Sequence, residues 1–256
     1  MAIAFYLPGN LPVYVSSMLL GLGTTLGLSW VTWQALPERR LREVDAGLLA
    51  LLGGLIGGRM AFVAADWAYF QSNRGEIPLI HLGGTSWAGA LVGGLVALAL
   101  LTWLTHQPLG TIIVALWPLW TSVIVSAWLG CWLDGCAYGP PATGWWGIPA
   151  RDEWGKIALR WPTQLLGALL ALVLFSFLNW GHQRGLPPRF IAGLGMLGLS
   201  LEMLALSFLR ADPSLQWRNL RLETWAGLAL TTGSFLAFLA SYLYRIRNKQ
   251  GIWEKG

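Results

Sequence analysis

"AGLLALLGGLIGGRMAFVAAD", residues 46–66, carries one charge between its ends, Arg59, in a run long enough to cross a lipid bilayer. A helix rises about 1.5 Å per residue, so about 20 apolar residues cover a hydrocarbon core about 30 Å thick. Working outward, six more runs of this kind follow, at 14–36, 86–104, 111–133, 162–180, 190–209 and 222–244. The chain is therefore expected to be an all-α integral membrane protein, one polytopic domain over residues 1–256 built as a seven-transmembrane-helix bundle. Composition agrees, since 55% hydrophobic and 11% charged residues at a mean hydropathy of +0.55 exclude an ordinary soluble chain. The opening MAIAFYLPGN lacks the basic region of a signal peptide, so the first run is expected to remain as a span.

Basic loops resist translocation. Arg39, Arg40, Arg42, Arg184, Arg189, Arg245, Arg247, Lys249 and Lys255 fall on one side of seven spans. Arg74, Arg151, Lys156, Arg160, Arg210, Arg218 and Arg221 spread over longer loops on the other. The expected placement is a bacterial plasma membrane, N-terminus outside and C-terminus cytoplasmic. Gly53 with Gly57, Gly54 with Gly58, and Gly89 with Gly93 form GxxxG spacings that let helix backbones approach closely. Arg59, near the middle of its run, needs a partner because a charge in lipid is costly, and Glu202 is the expected one, with a lipid phosphate as the competing choice.

"GCWLDGCAYGPPATGWWGI", residues 130–148, holds both cysteines. On a continuous helix, residues five apart sit about 140° around the axis, too far for a disulfide unless the helix ends between them. A zinc site needs about four ligands. Of the three histidines, His106 and His182 belong to the cytoplasmic side and only His81 approaches from outside. Cys131 and Cys136 therefore read as small apolar residues, and no metal or cofactor is expected. Gly139, Pro140 and Pro141 stop the helix, residues 134–161 form an outer loop or re-entrant arm, and Trp145 and Trp146 suit the headgroup layer.

Four motifs in this order, "GGRMAFV" (57–63), "GGTSWAGALVGG" (83–94), the 130–148 stretch and "RWPTQLL" (160–166), resemble the prolipoprotein diacylglyceryl transferase family. The resemblance covers about Leu51 to Leu166 well and the last two spans poorly. It implies seven spans and transfer of diacylglyceryl from phosphatidylglycerol to a lipoprotein-precursor cysteine. Gly58, Arg59, Gly83, Gly84, Ser86, Gly89, Gly135, Tyr138, Gly139, Trp146, Gly147, Arg160, Pro162, Thr163 and Gln164 match the family pattern, and Tyr14 a first-span tyrosine.

The reactive positions differ. Ala88 and Trp161 stand where the family has histidines, Trp128 where it has an arginine, and Cys131 and Cys136 where it has an asparagine and a glutamate. In the sixth span, where the family carries an Arg and a Glu, the chain has Glu202, Met203 and, further on, Ser207. Generating a thiolate from a cysteine of pKa near 8.5 needs a base or a positive field, and expelling glycerol phosphate needs cations. Two readings follow. In the first, an active transferase holds the phosphate with Arg59, Arg160 and Arg210, with His81, Tyr14 or Tyr138 as substitute base. In the second, favoured by the residues, a non-catalytic descendant binds phospholipid at these arginines and at Gly135 and Gly139, or serves as a subunit among other membrane proteins. Partners are then phosphatidylglycerol and a lipoprotein precursor, with no nucleic acid.

Overall fold

Residues 3–7 and 11–253 are described by the computed structural model. A hairpin of β1 (Ile3–Leu7) and β2 (Leu11–Tyr14) leads into α1 (Val15–Gln34), followed by α2 (Arg40–Ala65) and the single turn α3 (Trp67–Phe70). Two 3-10 turns, Arg74–Glu76 and Ile80–Leu82, precede α4 (Trp87–Thr105), then α5 (Leu109–Ala115) and α6 (Trp117–Asp134). The hairpin β3 (Ile148–Arg151) and β4 (Ile157–Arg160) joins α6 to α7 (Thr163–Gln183). Then come α8 (Pro188–Leu209), a small hairpin of β5 (Gln216–Trp217) and β6 (Leu220–Arg221), and α9 (Leu222–Trp253). The side chains of Arg245, Arg247 and Lys249, and all of Lys255, lie outside the described residues.

Among the described residues six helices are long and apolar enough to cross a membrane, or seven if α5 and α6, bent by 55° at the break between them, count as one span. The expected straight span at 111–133 is thus two helices. Pro118 explains the break, because proline has no N–H to donate and its ring clashes with the carbonyl four residues back. The Leu116 N–H instead reaches both Ile112 and Ile113 carbonyls, at 3.1 and 3.2 Å. The helix α2 begins at Arg40, earlier than the run at 46–66 implies, which puts Arg59 in its last third rather than near its middle.

Successive spans pack antiparallel. A Cβ on Gly57 would lie 2.5 Å from the Gly89 carbonyl oxygen, and one on Gly53 would lie 2.6 Å from that of Gly93. Only glycine permits this approach, so the GxxxG pairs of α2 and α4 meet each other. Gly27 of α1 similarly lets Leu119 of α6 approach. One buried cluster joins Val31, Ala50, Leu98, Leu116, Trp117 and Ile191. Trp33, Trp103 and Trp180 are exposed toward one end of the bundle and Trp67, Trp145, Trp154 and Trp217 toward the other, as expected of two interfacial girdles.

Candidate functional site

Arg59 is 6% exposed and makes no contact with Glu202. Its Nε donates to the Ile77 carbonyl (2.9 Å), Nη1 to those of Gly83 (2.6 Å) and Gly84 (3.0 Å), and Nη2 to that of Glu76 (2.6 Å). Phe62 and Phe70 flank the guanidinium, with ring centres 5.7 and 5.3 Å away. Gly83 and Gly84 hold φ of +87° and +79°, which glycine adopts without penalty, and the turn they make delivers both carbonyls to one nitrogen. The expected Arg59–Glu202 pair is therefore corrected. Arg59 ties the 76–84 segment down over the end of α2 and α4, and backbone oxygens satisfy its charge.

Cys131 and Cys136 form a disulfide, which corrects their reading as apolar fillers. The helix α6 ends at Asp134, and Gly135 takes a φ of +77°, so the chain turns between the cysteines and brings their Cα atoms to 4.6 Å. The available signal was Gly135 itself, since a glycine just past a helical run ends the helix. Gly135 also faces the Asp152 carbonyl at a separation with no room for a side chain. A Cβ on Gly139 would stand 2.5 Å from Thr163 Oγ1 and from the Trp161 carbonyl oxygen. Both glycines, expected at a lipid, thus have protein on their open sides.

The β3–β4 hairpin rests on this turn. The Tyr138 hydroxyl donates to the Glu153 carboxylate, Arg160 Nη2 to Asp152 at 3.2 Å, and Trp132 Nε1 to the Pro149 carbonyl at 3.2 Å. Arg160 also stacks on the Tyr138 ring, 4.3 Å from its centre, and its buried Nε has no partner among the described residues. Burial, and then the bond to Glu153, pushes the Tyr138 phenol up to about 12. Tyr138 is thereby a poor proton acceptor at neutral pH.

Arg210 follows α8 and meets Asp212 at 2.6 Å and Glu223 at 2.8 Å, while Arg221 closes the square onto Asp212 at 3.0 Å. Burial opposes the charge on Arg210, yet Asp212 and Glu223 outweigh it and hold the guanidinium above its ordinary pKa. Burial likewise opposes the charge on Asp212, but Arg210 and Arg221 hold its carboxyl below the usual range. Asp152, Glu153, Asp212, Glu223 and Arg221, none of them a candidate site residue from sequence, supply these partners because turns bring near neighbours together.

Deeper in the bundle, Trp128 of α6 fills the space above Gly167 of α7. Glu202 of α8 is 7% exposed, the Trp128 indole lies beside its carboxyl, and neither group reaches a hydrogen-bonding geometry. Gln164 is wholly buried; its Nε2 donates to the Cys136 carbonyl at 2.9 Å, and its Oε1 has no partner among the described residues.

The remaining candidates stand apart. His81 is exposed in the turn Ile80–Leu82, and Tyr14 is half-buried where β2 enters α1, paired through its backbone with Ile3. The fold thus gathers Gly135, Tyr138, Gly139 and Arg160 in one cap, with Arg210 tied to it through the Ala211 N–H and the Tyr138 carbonyl at 2.8 Å. Arg59 belongs to the separate α2–α4 unit.

Fold and cap together define a polytopic membrane bundle whose polar loops close one end over glycine-packed helices. The model of the prolipoprotein diacylglyceryl transferase family matches residues 2–240, and the chain belongs to that family. The match extends through α8 and most of α9, where the motifs themselves were least telling. The chain is 24% identical over 253 residues to phosphatidylglycerol–prolipoprotein diacylglyceryl transferase 2 of Clostridium perfringens, covering 96% of each chain. It is 30% identical over 216 residues to the corresponding transferase of Rhodospirillum rubrum, covering 81% of this chain and 77% of that one.

Proposed function

We propose that the chain binds phosphatidylglycerol and a prolipoprotein at its capped end, and that it transfers diacylglyceryl at least about a hundredfold more slowly than a member with an intact base and arginines. The observation that carries this reading is the Tyr138–Glu153 bond. The phenol best placed in the cap keeps its proton, donating it in a hydrogen bond to the Glu153 carboxylate, and is pushed up to about 12, so it does not deprotonate a thiol. Ala88, Trp128 and Trp161 offer no proton-accepting atom, and Cys131 and Cys136 are joined to each other. Among the three arginines expected at lipid, Arg160 keeps an unpartnered nitrogen, and we assign the headgroup contact to it.

The capped end is taken as the outer face, because disulfides persist in oxidising compartments. With seven spans this puts the N-terminus outside and the C-terminus in the cytoplasm. The second reading, transfer at the rate of an intact member, is favoured by the names of the relatives and by a match over 96% of both chains. Expression in a bacterium depleted of its own transferase separates the two. Failure to restore lipoprotein maturation, with the protein present in the membrane, is expected; full restoration supports the second.

A further inference from the structure

At the end of the bundle away from the cap, the break between α5 and α6 opens a cleft. Gly110 seats α5 against α8, since a Cβ there would stand 2.9 Å from the Arg189 Cα. Thr111, Ile112 and Ala115 lie on the other side of that helix, and between them and α2 and α4 is a gap of about 460 Å³, open at its mouth. Leu101 of α4 and the wholly buried Leu116 at the break give it hydrocarbon walls. Trp103, exposed on α4 beside Leu101, sets the cleft at the level of lipid headgroups.

The polar part of the lining is basic. Arg39 and Arg42, from the start of α2, and Gln107, just past α4, face one carboxylate, Glu43, on which both arginines act. Two cations against one anion leave a single positive charge. The neighbouring Arg40 turns away and donates its Nε to the Ala35 carbonyl at 3.3 Å. Among the described residues the guanidinium groups of Arg39 and Arg42 and the Gln107 amide make no hydrogen bond and no close ion pair. The cleft therefore offers donors in excess, one net positive charge and apolar walls. A lipid phosphodiester answers all three, because it carries one negative charge, its free oxygens accept from guanidinium groups, and its glyceryl and acyl carbons cover the leucines. An inorganic phosphate carries more negative charge at neutral pH and leaves those walls bare.

We propose that Arg39, Arg42 and Gln107 hold the phosphodiester of an anionic phospholipid drawn from the leaflet opposite the cap. Basic clefts between helices are suited to this because anionic headgroups are attracted to them from the membrane surface. The site is additional to the headgroup contact of Arg160 and independent of how fast the chain turns over.

Native mass spectrometry of the full chain in detergent tests it, with dioleoylphosphatidylglycerol, dioleoylphosphatidylcholine and inorganic phosphate offered at equal concentration. Arg39→Gln with Arg42→Gln is expected to lose one bound phosphatidylglycerol, with occupancy of that site falling about tenfold. Both side chains are exposed and unpaired, so the variant keeps its fold. Arg184→Gln with Arg189→Gln removes the same charge from exposed positions at the same end of the bundle and is expected to lose none. Equal loss from the two variants reduces the effect to surface charge and overturns the site, as does unchanged retention in Arg39→Gln with Arg42→Gln. Equal retention of phosphatidylcholine at that site, or displacement of the lipid by inorganic phosphate, overturns the anionic lipid as its ligand. Arg160→Ala reports on the cap separately. Lipid lost from that variant, with none lost on changing Arg39 and Arg42, would bring down this site alone and leave the contact at the cap standing.

Discussion

Arg160 lies with its guanidinium carbon 4.3 Å from the centre of the Tyr138 ring, while the hydroxyl of that ring donates to Glu153 on the tip of the same hairpin. One phenol thus anchors the last residue of β4 and the turn between the strands. The phenol keeps its proton in the folded chain and loses it near 10 when unfolded, so its contribution is complete below about pH 10 and is lost as pH rises from about 10 toward 12. Thermal melting in detergent should show this alkaline loss in the unaltered chain. In Tyr138→Phe the loss should largely disappear, at a cost of about 1 kcal/mol at neutral pH.

Arg59 should be the most sensitive single position for stability. Removing it strands four carbonyls that only a planar, multi-donor group reaches together. Arg59→Leu should cost about 3 kcal/mol or more, and Arg59→Lys should recover less than half, because an ammonium cannot span the same oxygens. Melting temperatures of the three proteins check this; a lysine variant as stable as the original would contradict it.

The contrast between Arg59 and the glycines around it indicates what sequence could reveal. GxxxG spacing is local and its consequence is geometric, so close packing of α2 and α4 against neighbours is legible, while their packing on each other is seen only in the structure. The charge at 59 is legible too, but its partners are backbone carbonyls, which leave no trace in side-chain identity. Only the pair Gly83 and Gly84 hinted at a turn able to present them. For Cys131 and Cys136 the ambiguity was where α6 ends, and one residue, Gly135, decides it. The β3–β4 hairpin is indistinguishable in sequence from a loop or re-entrant arm, because its two four-residue strands carry little alternation to set them apart from one.

At the α2–α4 crossing, Gly57→Leu should force the helices apart, since even a Cβ meets the Gly89 carbonyl oxygen at 2.5 Å. A loss of about 3 kcal/mol or failure to accumulate is expected, whereas Gly75→Ala, with open space around it, should be silent. Yield and melting temperature of the two variants provide the comparison.

The disulfide closes a loop of a few residues, for which chain entropy gives about 2 kcal/mol. Cys131→Ser with Cys136→Ser should lower stability by about that amount and leave the bundle assembled. Thiol labelling of the denatured, unreduced protein should find no free cysteine; labelling of both without reductant would contradict the bond.

The central claim concerns turnover, and the most direct measurement is transfer by the purified full chain of diacylglyceryl from phosphatidylglycerol to a cysteine-bearing lipobox peptide, beside a family member that carries the histidine and arginine at the positions of Ala88 and Trp128. The account predicts transfer at least about a hundredfold slower than that member. Transfer at a comparable rate, abolished by Arg160→Ala or His81→Ala, would contradict it and identify a substitute active site.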